Sequence, residues 1–267
     1  LDMLASFPVY LPIGPWKLHP HPVFEFLAYF IGFRLYVWTR RKERLPAVHA
    51  LWIIVAAALG AAVGSKALYW LEDPALTLKR ADDLVFLMAG KSIVGGLLGG
   101  LIAVEWTKKR LGITQSTGDD MAFPLMAAMA IGRIGCFLSG LGDHTYGTAT
   151  ALPWGVDFGD GVPRHPTQLY EIVFLGVWAL LLARTRAASN RRGTAPLPDG
   201  AIFQLFMTGY LSFRFAVDFI KPTPHPFLGL NNVQLACLAG LAYYLWLVVP
   251  WLFTRIRGEE SAYAGKS

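Results

Sequence analysis

Seven runs of mostly apolar residues, separated by loops that alternate in charge, leave this chain few ways to fold: 22–38, 50–71, 84–106, 121–140, 167–184, 200–220 and 231–254. About 20 such residues span a bilayer as a helix, because hydrocarbon offers the backbone no other hydrogen-bond partners. Of the 267 residues 54% are apolar and only 16% charged, where soluble domains carry about 25% charge. The sequence therefore predicts an all-α, polytopic integral membrane protein with about seven transmembrane helices.

Loop charge gives the orientation. "TRRKERLP", "TKKRLG", "RTRAASNRRG" and "TRIRG" are strongly basic, while "EDPALTLKRADD", "KPTPHPFLGL" and the long stretch 141–166 are not. Basic loops stay in the cytoplasm, so the N-terminus is expected outside and the C-terminus inside. Three parts follow: an outer-surface interfacial arm at 1–21, a transmembrane domain at 22–254 with an ordered outer loop at 141–166, and a cytoplasmic tail at 255–267. No cleavable leader is expected, because no basic n-region precedes an apolar h-region in the first twenty residues. The net charge of +6 resides in the inner loops and predicts no nucleic-acid partner. Cys136 and Cys237 both lie inside apolar runs, so no disulfide is expected.

Ionisable residues inside spans mark functional sites. With this orientation Glu25, Lys66, Lys91, Arg133, Glu171, Arg214 and Asp218 all fall in one layer beneath the outer surface. Arg133, seven residues before the end of its run, lies about 10 Å deep at ~1.5 Å rise per residue. Arg214 and Asp218, four apart, share a helix face and either pair with each other or serve a ligand. Four bases against three acids leave room for an anion, and a phospholipid phosphate is the abundant one at this depth. The planar fork of an arginine suits it. Most histidines (His19, His21, His144, His165, His225) map to the outer side, but their spacing fits no metal motif, and neither a metal nor an organic cofactor is expected. His144 and His165 border the charged layer.

These residues resemble those of a known family. "GRIGCFLSGLGDHTYG" followed by "RHPTQLYE" is similar to the signature region of the prolipoprotein diacylglyceryl transferases, with Gly132, Arg133, Gly135, Phe137, Gly140 and Gly147 in matching places. "GSKALYW", "SIVGGLLGG" and "FRFAVDF" resemble the motifs of the second, third and late spans. The glycine-rich one also reads as small-xxx-small helix packing.

The resemblance implies a multi-pass enzyme of the bacterial cytoplasmic (inner) membrane with its active site facing the outer leaflet. Its partners would be phosphatidylglycerol, the lipobox segment of a prolipoprotein and the surrounding membrane lipids. The diacylglyceryl group would pass to the lipobox cysteine thiol, releasing glycerol phosphate. The resemblance implies that Arg133 and Arg214 hold the headgroup phosphate, and it adds Lys66, Lys91, Gly95, Gly96, Tyr146, Gln168, Tyr170 and Asp218 as substrate contacts. Val94 stands where the family has a histidine, Cys136 and Ser139 where it has asparagines, Lys66 where it has an arginine, and Glu25 where an aromatic is usual. With that histidine replaced, thiol activation is expected from His165, His144, Asp143 or Glu171, His165 first because it leads into "PTQLYE", or from the arginines. Two alternatives stay open at this point: a divergent paralogue with another acceptor, and a non-catalytic lipid-binding or transport protein.

Overall fold

A computed structural model describes residues 7–40, 45–88, 90–190 and 197–264, with side chains as far as residue 253. The expected basic residues Arg41, Lys42, Arg44, Arg191 and Arg192, the arm before residue 7 and the last three residues of the tail lie outside the described residues. In chain order the elements are β1 (Leu11–Ile13), β2 (Trp16–Leu18), α1 (Pro20–Thr39), α2 (Ala47–Glu72), α3 (Pro74–Lys79), α4 (Leu84–Met88), α5 (Ile93–Leu111), α6 (Asp119–Ser139), β3 (Val156–Asp157), β4 (Pro163–Arg164), α7 (Thr167–Ser189), α8 (Ala201–Val217) and α9 (Asn232–Ala264). The protein is an all-α membrane protein carrying two small hairpins. Among the described residues four helices are long and apolar enough to cross a membrane: α2, α6 with the turn after it, α7, and α9 as far as Phe253. Their outward faces carry Trp52, Leu59, Val63, Val173, Val177, Leu245 and Trp246 exposed, an apolar surface that water would not tolerate and lipid does.

The chain divides into two compact units. The first comprises Leu1–Arg40, Thr117–Phe213 and Phe219–Pro222. Here α1 and α6 meet along small residues: Gly32 beside Ala128, Ala28 beside Gly132, and Gly135 beside Phe24. A Cβ on Gly135 would lie 2.7 Å from that of Phe24 and 3.5 Å from the His21 backbone, so the helices approach closely only because position 135 has no side chain. His19 caps α1 by accepting from the His21 N–H, with Pro20 at the first turn. Asp119 opens α6 and also caps α8, its carboxylate accepting from the Gly200 and Phe203 N–H groups, each at 3.0 Å. Leu175, Phe206, Met207, Tyr210 and Leu211 fill the interior.

The arm forms an antiparallel hairpin, β1 with β2, in the register Leu11 to Leu18. Phe7 then stacks edge-on with Phe137 and Phe158, against Gly140, whose φ of +65° turns the chain out of α6. In the outer loop β3 pairs with β4. Asp157 accepts three backbone N–H bonds, from Gly159, Asp160 and Gly161. Arg164 donates twice to Asp160, which holds the Asp160 carboxyl below the usual carboxylate range.

The second unit comprises Arg41–Ser116, Arg214–Asp218 and Thr223–Ser267. Gly60 and Gly64 of α2 press against Gly95 and Gly99 of α5, each facing a backbone carbonyl across the seam. Asn231 and Gln234 form a reciprocal cap on α9: the Gln234 N–H donates to Asn231 Oδ1 and the Asn231 N–H to Gln234 Oε1.

Two expectations change. The run 84–106 is broken: α4 ends at Met88 and α5 begins at Ile93. Gly90 takes φ +57° against the Tyr69 ring, and Ser92 caps α5 by accepting from the Gly95 N–H. Lys91 therefore sits exposed in the break, not within a span. At the other end, α9 continues through most of the expected tail, to Ala264.

The glycine seam yields a prediction. Gly99→Leu should unseat α5 from α2, because the added side chain meets the Gly60 carbonyl and the Gly64 backbone. Overpacking of this kind costs about 1–3 kcal/mol or more, so the variant in detergent should melt well below wild type. Gly112→Ala, at a helix end where an added Cβ would have nothing within 4 Å and the cost is only that of an alanine at φ +67°, should fall less.

Candidate active site

Within the first unit, α6, α7 and α8 bury an ion pair. Arg133 Nε lies 2.8 Å from Glu171 Oε2, and their side chains are 7% and 2% exposed. The other carboxylate oxygen, Glu171 Oε1, accepts from the Tyr210 hydroxyl at 2.8 Å. Coulomb attraction in a poorly screened interior, together with these hydrogen bonds, holds the pair together. Arg133 Nη1 points at Cys136 Sγ, 3.8 Å away and one turn along the same helix. Nη2 has no partner among the described residues, and so offers N–H donors to an anion. Both oxygens of Glu171 are occupied, so it holds Arg133 in place.

A second polar set adjoins the first at Cys136. Asp143 Oδ1 lies 2.7 Å from His21 Nδ1, and Asp143 Oδ2 accepts from the Thr145 hydroxyl at 2.7 Å. Gln168 Nε2 donates to that same hydroxyl at 3.0 Å, and Thr167 Oγ1 donates to the Thr145 carbonyl. His21 Nε2 faces Glu25 Oε2 at 3.8 Å. His21, Cys136 and Asp143 present ligand atoms that all lie within 4.8 Å of one another.

The other expected residues fall elsewhere. His165 Nδ1 bonds the Tyr170 hydroxyl at 3.1 Å, and Trp154 donates to that hydroxyl at 2.9 Å. The His165 backbone pairs with Thr148 and Gly147. This cluster frames the outer loop and makes no bond to the Arg133 set. Tyr146 lies under the Arg164 guanidinium, 5.3 Å from it. His144 is exposed at a left-handed turn, φ 52°, and enters neither polar set. In the second unit Arg214 Nη2 donates to Asp218 Oδ1 at 2.9 Å, both buried, while Asn231 Nδ2 donates to Asp218 Oδ2 at 3.1 Å. Of the two readings of that pair, mutual satisfaction is the one displayed, with Asn231 tying it to the start of α9. Lys66 Nζ donates to the Gly90 carbonyl at 2.9 Å and also to that of Met88, securing the break before α5. Gly95 is taken up by the helix seam, with Gly96 beside Ala61 and Ser65.

The family model for prolipoprotein diacylglyceryl transferase matches residues 8–250. The chain belongs to that family. Among its relatives, the phosphatidylglycerol–prolipoprotein diacylglyceryl transferase of Bordetella parapertussis is 34% identical over 259 residues, covering 91% of this chain and 90% of the relative. That of Methylobacillus flagellatus is 30% identical over 271 residues, covering 93% and 94%, and that of Solidesulfovibrio magneticus 32% over 266 residues, covering 90% and 93%. Within this family signature the structure gives the glycines distinct work. Gly135 lets α1 approach and Gly140 turns the chain, so Arg133 and Cys136 face inward together.

Sequence reasoning missed His21, Thr145 and Tyr210 as members of these polar sets. Cys136 was legible as a neighbour of Arg133, three residues apart on one helix. Tyr210 carried a weaker signal, one turn before Arg214 in an apolar helix, and His21 carried none beyond its side of the membrane.

Breaking the buried pair should be costly. Arg133→Ala or Glu171→Ala alone leaves an uncompensated charge and should destabilise by about 3–5 kcal/mol. The double variant should lose clearly less than the sum, and a double-mutant cycle of stability in detergent measures the coupling.

Proposed function

We propose that this chain transfers the diacylglyceryl group of phosphatidylglycerol to the lipobox cysteine thiol of a prolipoprotein, releasing glycerol phosphate. One observation carries the reading beyond family membership. Arg133, in the family's signature stretch, is buried and fixed by Glu171 and Tyr210 while keeping N–H groups available. A guanidinium held in this way is preorganised for a phosphodiester and for the charge that grows on it as the carbon–oxygen bond breaks. Asp143, Gln168 and Cys136 adjoin it, and we assign them to the acceptor side of the site. Arg214 with Asp218, and Lys66, remain candidate headgroup contacts in the second unit. His165 and Tyr170 are assigned to shaping the outer loop.

The same reading gives the setting: the bacterial inner membrane, seven spans, N-terminus outside and C-terminus in the cytoplasm, and a site that opens to the outer leaflet. The alternation of basic and non-basic loops supports this orientation. The arm 1–21 then lies on the outer surface, followed by the transmembrane domain 22–254 and the tail 255–267.

Two experiments test these statements. Purified protein incubated with labelled phosphatidylglycerol and a lipobox peptide should yield thioether-modified peptide and glycerol phosphate in equal amounts. Arg133→Ala should lower turnover by about 10²–10³-fold, as loss of an oxyanion donor does, and Arg133→Lys should recover part of it. Full activity in Arg133→Ala would refute the assignment, and lipid binding without release would indicate a binding protein. For orientation, Val162→Cys should react with a membrane-impermeant maleimide on intact cells, and Thr114→Cys only after lysis.

A further inference from the structure

Val94, where the resemblance implies a histidine, is buried and apolar, 1% exposed. We infer that His21, Cys136 and Asp143 form a zinc site whose open fourth position takes the acceptor thiol; the inference rests on the transferase reading above.

Three features point to a metal. First, the donor set is mixed nitrogen, sulfur and oxygen, brought together from the start of α1, the last turns of α6 and the turn that follows. Such a set selects a borderline ion such as zinc over magnesium or calcium. Three protein ligands plus one open position is the pattern of a catalytic zinc.

Second, the spacing is within reach. Bonds of about 2.0–2.3 Å in a tetrahedron separate ligand atoms by about 3.3–3.7 Å. The three atoms here lie within 4.8 Å of one another, and the closest pair, His21 Nδ1 and Asp143 Oδ1, is at 2.7 Å. Opening that pair by about 0.6–1 Å, and closing any pair near the 4.8 Å limit by about 1.1–1.5 Å, creates the cage.

Third, an outer shell is already in place. His21 has its other ring nitrogen 3.8 Å from Glu25 Oε2, so a small closing movement would give the carboxylate–histidine–metal arrangement that orients a ligating imidazole. The second oxygen of Asp143 is held by Thr145, which Gln168 holds in turn. The charges also balance. Zinc with one thiolate and one carboxylate is neutral, and the extra negative charge of a bound acceptor thiolate falls beside Arg133, whose Nη1 lies 3.8 Å from Cys136 Sγ.

The step balances as follows. The acceptor thiol binds zinc and gives its proton to water, since a metal-coordinated thiol is deprotonated. The sulfur attacks the glyceryl carbon that bears the phosphodiester oxygen. A carbon–sulfur bond forms, the carbon–oxygen bond breaks, and its electron pair leaves on glycerol phosphate. No oxidant or reductant is involved.

The test uses the full chain in detergent, loaded with cobalt(II) as a visible probe and separately with zinc. Wild type should bind one ion per chain and show a thiolate-to-cobalt charge-transfer band. Cys136→Asn, which installs the family's residue, should stay folded and lose the band, and Glu25→Gln should weaken cobalt binding by about tenfold or more. Stripping the metal should lower transfer to the lipobox peptide by a similar factor, and zinc should restore it. Absence of the band in wild type, with transfer that survives chelation, overturns the metal site and leaves the transferase reading standing. A band with no transfer by the zinc-loaded wild type overturns that reading and the thiol step with it, while the metal site stands. A band with transfer indifferent to chelation overturns zinc's role in activating the thiol.

Discussion

A guanidinium cannot sit unpaired inside an apolar helix bundle, and the first unit is organised around that constraint. Arg133 reaches across to Glu171 on α7, and Tyr210 on α8 closes the other side of the carboxylate. Three helices are thereby held in register by polar groups in surroundings where hydrophobic burial discriminates little between one apolar face and another. The pair does more than satisfy itself. By using one oxygen of Glu171 on Arg133 and the other on Tyr210, it keeps the guanidinium plane fixed and leaves donors for an incoming anion.

How much of this was legible depended on the range of the interaction. Apolar runs reported helices because burial in lipid acts on whole segments, and α1, α2 and α6 lie close to where hydropathy put them. The break before α5 was hidden because Gly90 and Ser92 act through local dihedrals and a cap inside an otherwise apolar run. Arg133 was legible as an anomaly, but its partner was not, since Glu171 lies on another helix and no spacing rule links the two. Within the motif stretch, Asp143 was legible as one of several candidate bases, but its contact with His21 was not. His21 itself stands outside every motif, and only the close packing of α1 on α6 reveals it. The Arg214–Asp218 pair was readable as i, i+4, while Asn231 joins it through a capping geometry whose Asn-x-x-Gln pattern was present in the sequence but not singled out.

A thiol at 136 and a histidine at 21 are unrelated in sequence. In space they meet beside Arg133, joined by Asp143. On the zinc reading proposed above, a means of activating sulfur lies beside the arginine proposed to bind phosphate, so the lipid-donor side can stay as it is while the acceptor side changes.

Gly135 shows why such a change needs so little rearrangement. Because the distance between α1 and α6 is set there by the absence of a side chain, the backbones at 21 and 136 stay neighbours whatever residues those two positions carry. The neighbouring pair works as an interchangeable socket in a rigid frame. If the zinc reading holds, a single-residue exchange there changes the metal's ligands without disturbing the helix crossing, so these two positions are where the choice of nucleophile could be redesigned.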